Sequence, residues 1–347
     1  MIYKKLGNTD LDVSVICLGT MTFGEQNSET EAHEQLNYAF DNGVNFLDTA
    51  ELYAIPSTAK NNGLTEKYIG TWLKNRSDRD QIIVATKIAG PSPNLTYIRP
   101  SLKFNRAQIT EAVEGSLKRL QTDYIDLYQL HWPERRVNFF GQRGFKHSAS
   151  DPWEDNFLEI LEVMQDLIKA GKIRHFGISN ETPWGTSRFL NLAEKHDMPR
   201  AMSIQNPYSL LNRLFEVGLA EIAIREQVGL LAYSPLGFGI LSGKYHKKED
   251  VARDRLNKFK SKMPRYSGEN SYNATAEYLK IAEEHGLSLA QMALQFINTR
   301  PFVTSNIIGA TTMEQLKENI GSVNVDLSKD ILKKIEAVHD RIPNPAP

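Results

Sequence analysis

The chain has 347 residues, 41% hydrophobic and 24% charged, ordinary figures for a globular protein and ample for a large buried core. With 41 basic against 42 acidic residues the formal net charge is −1, so no global field is available to hold nucleic acid or an anionic membrane, and any polyanion site must be local. Cys17 is the only cysteine, which excludes a disulfide within the chain and points away from oxidising compartments.

The stretch Met1–Gly19 scatters Lys4, Lys5, Asp10 and Asp12 among its apolar residues and so lacks the core of a signal peptide. No uncharged apolar run approaches the length of a membrane span. The expectation is a soluble, cytoplasmic enzyme with no nucleic-acid or membrane partner, for which the Asn-x-Thr triplets at Asn94, Asn180 and Asn273 carry no meaning.

Residues Ile2 to Val15 predict a hairpin closing one end of the fold. Short segments rich in β-branched and aromatic residues then alternate with stretches of helical spacing. Strands are predicted at Val15–Leu18, Asn45–Asp48, Ile82–Thr86, Ile125–Leu130, Arg174–Ile178, Met202–Ile204, Gly229–Ala232 and Asn306–Ile308. Helices are predicted at Ser28–Asn42, Thr65–Lys74, Arg106–Leu120, Asn156–Ala170, Trp184–His196, Phe215–Gln227, Ala274–His285 and Thr312–Ile320, with an added C-terminal helix at Ser328–His339. Asn42-Gly43, Gly171 and Gly286 stand where a left-handed cap would stop three of them.

Such alternation favours a closed α/β (β/α)8 TIM barrel, a single domain over 1–347, over an open doubly wound sheet. The first strand is followed by Gly19-Thr20-Met21-Thr22-Phe23-Gly24, without the Gly-x-Gly-x-x-Gly that an open nucleotide-binding sheet carries there. Gly239–Lys244 is no P-loop, since its first glycine would have to sit at Phe238 and its last position is Tyr245. His131, His147 and His175 show no His-Glu-x-x-His spacing and no Cys partners, so no metal is expected.

In a barrel of this kind chemistry is built just past the C-terminal strand ends. The sequence places Asp48 and Tyr53 after the second strand, Lys87 after the third, His131 after the fourth, Ser179 and Asn180 after the fifth, Gln205 and Asn206 at the sixth, Tyr233 and Ser234 at the seventh, and Gly309, Ala310 and Thr311 after the eighth. A buried Lys87 ammonium needs a carboxylate partner, for which Asp48 is the candidate. Positive character beside Tyr53 favours its phenolate, making the phenol a usable proton donor, and His131 could hydrogen-bond a substrate carbonyl. Each residue also has a bland reading: an Asp–Lys pair can be a structural ion pair, and a lone Tyr or His at a strand end is commonly a satisfied structural residue. Their joint placement on successive strand ends is what points to carbonyl reduction. A different barrel enzyme using Lys87 as a Schiff-base nucleophile remains an alternative.

The segments Leu47-Asp48-Thr49-Ala50-Glu51-Leu52-Tyr53, Ala85-Thr86-Lys87 and Asp126-Leu127-Tyr128-Gln129-Leu130-His131-Trp132-Pro133 resemble, in order and spacing, the signatures of the aldo-keto reductases. The likeness covers essentially the whole chain. Three further segments, Gly19–Ser28, Gln205–Arg213 and Gly309–Leu316, look closest to a bacterial subgroup akin to the potassium-channel β-subunit branch. The resemblance implies NADPH bound across the barrel mouth, a small-molecule carbonyl substrate, Tyr53 as general acid tuned by Lys87 and Asp48, and His131 orienting the carbonyl. It further implies that Ser179, Asn180 and Gln205 hold the nicotinamide carboxamide while Tyr233 stacks on its ring. Ser234, Leu236 and Gly239 would follow the pyrophosphate, and Gly309, Thr311, Gln315, Glu318 and Asn319 the adenosine and its 2′-phosphate. Lys244 and Arg253 are further phosphate candidates, within a basic stretch from Lys244 to Arg265 that also holds Lys247, Lys248, Arg255, Lys258, Lys260 and Lys262. Kinship with the channel branch implies an alternative role, an NADPH-binding redox sensor with slow residual turnover.

The pattern also departs from the family. Ala54 stands where a glycine usually follows the catalytic Tyr and opens an inserted stretch to Asn62, and a second long loop runs from Pro133 to Asp155. Phe139, Phe140 and Trp153 are expected either to line the substrate pocket or to pack loop against loop.

Overall fold

The computed structural model describes residues 1–246, 256 and 264–347. Two short strands, β1 (Tyr3–Lys5) and β2 (Asp12–Ser14), pair antiparallel. Eight more follow: β3 (Ile16–Gly19), β4 (Phe46–Asp48), β5 (Ile83–Ile88), β6 (Ile125–Leu130), β7 (Ile173–Ser179), β8 (Ala201–Pro207), β9 (Gly229–Tyr233) and β10 (Val303–Ile308). These eight are parallel, each beside its sequence neighbour, and β10 pairs with both β9 and β3, closing the barrel. The eight predicted strands are all present.

Alternation along the strands sorts their side chains into two shells. Cys17, Phe46, Ile83, Ala85, Leu127, Leu231 and Ile307 point inward and form a small core with Leu6, Leu11 and Val13 of the hairpin. The hairpin therefore plugs the end where the strands begin, and Lys4 Nζ fastens it by donating to the carbonyls of Asn298 and Val303. Outward-facing residues such as Val84, Tyr128 and Phe176 pack beneath the surrounding helices.

The helices include α1 (Glu29–Asp41), α2 (Leu64–Lys74), α3 (Arg106–Leu120), α4 (Phe157–Lys169), α5 (Pro183–His196) and α6 (Phe215–Arg225). After β9 come α7 (Glu269–Glu284) and α8 (Leu289–Asn298), then α9 (Met313–Gly321) and α10 (Lys329–Arg341) beyond the barrel. Their starts follow local chemistry: Ser28 and Glu31 form a capping box on α1, and Thr182 caps α5 with Pro183 at its first position. Gly43, Gly171 and Gly286 take positive φ where helices end, as their spacing predicts.

Helix α8 is the element that sequence periodicity misses. Eight of its ten residues are buried and only Gln291 and Gln295, one turn apart and partly exposed, interrupt the apolar run, so its polar stripe is too narrow to stand out. Among the described residues no helix is long and apolar enough to cross a membrane.

Candidate active site

The same alternation that fills the barrel with apolar side chains ends, at the mouth, in a polar layer. Asp48 follows Phe46 on the inward face of β4, Lys87 follows Ala85 on β5, and Gln129 follows Leu127 on β6. Lys87 is registered directly against Gln129, and Ser179 against Gln205.

Lys87 is fully buried, and its Nζ donates to Asp48 Oδ2 at 2.7 Å and to the Thr49 carbonyl at 2.8 Å. Burial by itself would favour the neutral amine, but the Asp48 carboxylate outweighs it and holds the ammonium above its usual range. The ammonium lies 5.0 Å from the centre of the Tyr53 ring. The Tyr53 and His131 rings meet edge to face at 5.7 Å. Burial, reinforced by the Lys87 charge, pushes the His131 imidazole well below its usual range, so it is neutral near neutral pH. Its Nδ1 is buried without a hydrogen-bond partner.

The loop from Asp48 to Tyr53 is stapled to β5. Thr49 N donates to the Ala85 carbonyl, Glu51 N to the Lys87 carbonyl, and Ala89 N to Glu51 Oε1 at 2.7 Å. Buried Arg99 holds the Glu51 carboxylate through both terminal nitrogens, at 2.9 and 2.6 Å. The distance between proton-donor candidate and cation is thus set by strand register and a buried ion pair rather than by a free loop.

A cleft of about 560 Å³ opens over this layer. Asp48, Tyr53 and His131 line it, with Lys87 just beneath. So do Ser179, Asn180, Gln205, Tyr233, Ser234, Leu236, Gly239, Lys244, Gly309, Thr311, Gln315, Glu318 and Asn319, every cofactor candidate within the described residues. Arg253 and the basic residues Lys247, Lys248, Arg255, Lys258, Lys260 and Lys262 lie outside the described residues.

Several of these side chains are preset by one another. Ser179 Oγ donates to the Gln205 carbonyl, Asn180 Nδ2 to the His131 carbonyl, and Tyr233 OH to Asn180 Oδ1 at 2.6 Å. Burial pushes the Tyr233 phenol up to about 12 against the pull of nearby Arg265, so it stays protonated and keeps that bond. Gln205 Nε2 donates to Asp48 Oδ1, which ties this group to the ion pair.

Farther along the cleft, Thr311 and the Thr312 cap stand at the N-terminus of α9, and Gln315 Oε1 accepts from Thr311 N. A Cβ built at Gly309 would meet no atom within 4 Å, so the backbone there opens directly on the cleft. Gly239 has φ +94, a conformation that glycine adopts at little cost, and its neighbour in space is Lys244. Exposed backbone, a helix N-terminus and the cations Lys244 and Arg265 together suit a phosphate-bearing dinucleotide.

The structure adds residues that motif reading passed over. Gln129 needed only the inward alternation of β6 to be noticed. Arg265, named only as the end of a basic stretch, lines the cleft. Arg135 and Glu181 form a buried ion pair, with Nη1 donating to Oε2 at 3.0 Å, that joins the loop after β6 to the segment after β7. The long loop divides between its two expected roles. Phe140 lines the cleft and Phe139 packs against the Tyr53–Trp132 cluster, whereas Trp153 lies with Phe157 and Trp184 around Arg135. Ile55, in the stretch after Tyr53, also lines the cleft.

Comparison with known proteins gives a match to the model of the Aldo/keto reductase family over residues 15–340. "Protein tas" of Escherichia coli (strain K12) is 52% identical over 348 residues, covering 100% of both chains. An "Aldo-keto reductase" of Babesia bovis is 41% identical over 252 residues, 69% of this chain and 88% of that protein. A "Probable voltage-gated potassium channel subunit beta" of Arabidopsis thaliana is 31% identical over 347 residues, 97% of this chain and 96% of that protein.

Proposed function

Because the chain belongs to the Aldo/keto reductase family and is an NADP(H)-dependent oxidoreductase, we propose that it uses NADPH to reduce aldehydes and ketones to alcohols, with Tyr53 as the general acid. The observation that carries this reading is the buried Lys87–Asp48 pair, 2.7 Å apart, set beneath the Tyr53 ring at the floor of the cleft.

NADPH, when bound, supplies the hydride that the carbonyl carbon takes up. The residues of this chain do the rest. Ser179, Asn180 and Gln205 would hold the carboxamide, Tyr233 the ring, and Ser234, Leu236 and Gly239 the pyrophosphate. Lys244, Gly309, Thr311, Gln315, Glu318 and Asn319 would hold the adenosine and its 2′-phosphate. Neutral His131 donates a hydrogen bond to the carbonyl oxygen and orients it. That oxygen receives the Tyr53 phenol proton, and the Lys87 ammonium stabilises the negative charge left on Tyr53 until solvent returns a proton. Asp48 keeps the ammonium in place. The products are the alcohol and NADP+. One barrel domain carries both cofactor and substrate sites, and the single buried Cys17 suits a reducing cytoplasm.

The test is a fluorescence titration with NADPH and NADH followed by a panel of carbonyl compounds, for the native protein and Tyr53→Phe. The substitution should lower kcat by about 10²- to 10⁴-fold with NADPH affinity unchanged. Reduction at the native rate by the variant overturns the assignment of the acid.

Likeness to the Arabidopsis channel subunit favours a second reading, in which the chain binds NADPH tightly, turns over slowly and reports redox state to a partner. Slow turnover across the whole panel, with a partner that copurifies, would select it.

A further inference from the structure

Two buried ion pairs at the barrel mouth take no part in the chemistry proposed above, Arg99–Glu51 and Arg135–Glu181. None of the four residues lines the cleft. A buried ion pair is a poor source of stability, since apolar side chains of like volume commonly do as well. A two-pronged contact between guanidinium and carboxylate does fix direction as well as distance.

Arg99 lies in the loop after β5 and takes both oxygens of Glu51, in the loop after β4, at 2.9 and 2.6 Å. The same carboxylate accepts from Ala89 N at 2.7 Å, while Glu51 N donates to the Lys87 carbonyl. Glu51 sits inside the turn from Ala50 to Tyr53, which Tyr53 N closes by donating to the Ala50 carbonyl at 3.0 Å. Ala89 and Leu102, on either side of Arg99 in the chain, pack in one cluster with Tyr53. This pair therefore holds the Tyr53 turn against the strand that carries Lys87.

Arg135, in the loop after β6, grips Glu181 just past β7. Its Nη1 donates to Oε2 at 3.0 Å, and its Nη2 donates to Oε1 and, at 3.1 Å, to Thr182 Oγ1. The guanidinium stands 5.0 Å from the Trp184 ring and 5.4 Å from that of Phe157. A Cβ on Gly185 would fall 2.3 Å from both Arg135 Nη2 and Glu181 Oε1, so the first turn of α5 closes on the pair only through a glycine. Glu181 directly follows Asn180, whose φ of +54 is uncommon for a residue with a side chain. The Asn206 amide takes Glu181 N at 3.1 Å and the Glu181 carbonyl at 2.9 Å. This second pair therefore holds the segment whose side chains are proposed to meet the nicotinamide.

We propose that the two pairs are positioning clamps with separate duties. Arg99 and Glu51 keep the Tyr53 phenol beside Lys87 and so govern proton transfer, whereas Arg135 and Glu181 fix Ser179 and Asn180 and so govern the hold on the nicotinamide. The inference rests on the reductase reading.

Replacing either arginine alone strands a buried carboxylate and endangers the fold. The test therefore removes both charges of a clamp together, in Arg99→Met with Glu51→Gln and in Arg135→Met with Glu181→Gln. The new amide keeps an acceptor for the backbone N–H. Loss of the first clamp should lower kcat by about 10- to 100-fold with NADPH affinity unchanged, the cost of a misplaced reacting group. Moving the phenol away from the ammonium raises its pKa, so the fall of kcat at alkaline pH should shift to higher pH. Loss of the second clamp should weaken NADPH and NADH alike by about 10-fold, since both carry the nicotinamide, and leave the alkaline limb in place. Should a paired variant fail to fold, Arg99→Lys and Arg135→Lys, which keep the charge without the fork, should show the same division at smaller size.

Native kinetics in the paired variants, or loss of kcat and cofactor affinity together in both, overturns the proposal. If the native protein reduces no carbonyl compound, the reductase reading fails on its own and two readouts without turnover decide. One is NADPH titration. The other is the pH titration of the Tyr53 Cζ resonance in protein labelled with [13Cζ]tyrosine, assigned by its loss in Tyr53→Phe. A Tyr53 pKa raised only by loss of the first clamp, with NADPH affinity weakened only by loss of the second, supports separate duties; any other pattern ends the idea.

Discussion

Gln205 reaches across the barrel mouth to donate from Nε2 to Asp48 Oδ1 at 2.8 Å, while Lys87 takes the other carboxylate oxygen. Gln129 also donates to Oδ1, at 3.3 Å, and its own Oε1 accepts from Gln205 Nε2. The carboxylate is thereby fixed from three strands at once. Gln205 therefore holds the Asp48 carboxylate in place, a role separate from its proposed contact with the cofactor.

Replacing Gln205 by Leu removes a donor from a buried carboxylate that is itself holding the ammonium. Turnover should fall by about 10- to 100-fold through loss of a hydrogen bond to a charged group. Steady-state kinetics and NADPH titration together check this. A change in NADPH affinity alone, with kcat intact, would restrict Gln205 to the cofactor.

Lys87→Met leaves the Asp48 carboxylate buried without its cation. Breaking a buried pair from one side costs about 3–5 kcal/mol, so the denaturant midpoint should drop sharply. Adding Asp48→Asn to the same chain removes the stranded charge and should recover much of that stability, although activity stays lost. A double variant no more stable than the single one would show that the charge is not the cause.

The buried His131 imidazole, held below its usual range, gives a pH dependence whose sign is fixed. In the unfolded chain its pKa is about 6.5, so below that pH the unfolded state binds a proton that the folded state refuses. Stability from this group is complete above about 6.5 and is lost as pH falls toward the lower folded value. His131→Asn should therefore flatten the decline of melting temperature between neutral and acidic pH relative to the native protein. His175, His246 and His339 are also lowered, each chiefly by burial, so the difference between variant and native curves is the quantity to read.

Lys244 lines the cleft close to Gly239, where the proposed cofactor path runs. Lys244→Met should weaken NADPH by about 10-fold or more, an effect that shrinks as salt rises. NADH, which lacks the 2′-phosphate, reports whether that group is the one contacted. If both dinucleotides weaken equally, Lys244 contacts the shared pyrophosphate instead.

Much of this molecule is written locally. Short segments rich in β-branched and aromatic residues, alternating with helical stretches, put Asp48, Lys87, Ser179 and Tyr233 at strand ends, and Gly43, Gly171 and Gly286 marked where helices stop. Helix α8 escaped because burial of eight of its ten residues narrowed its polar face to Gln291 and Gln295. The aromatic residues of the long loop could be named but not sorted: Phe140 and Trp153 are alike in sequence, and only the direction of the loop sends one to the cleft and the other to Arg135.

The sequence by itself determined the eight-unit alternation, the polar residues at the strand ends and the want of any global charge. Tertiary structure alone decided which of those groups meet. Asp48 is separated from Gln129 by 81 residues and from Gln205 by 157, and such bonds exist only after the barrel has closed in one register. Strand and helix periods act over a few residues and leave their mark in composition, whereas pairing across the mouth depends on where distant segments come to rest.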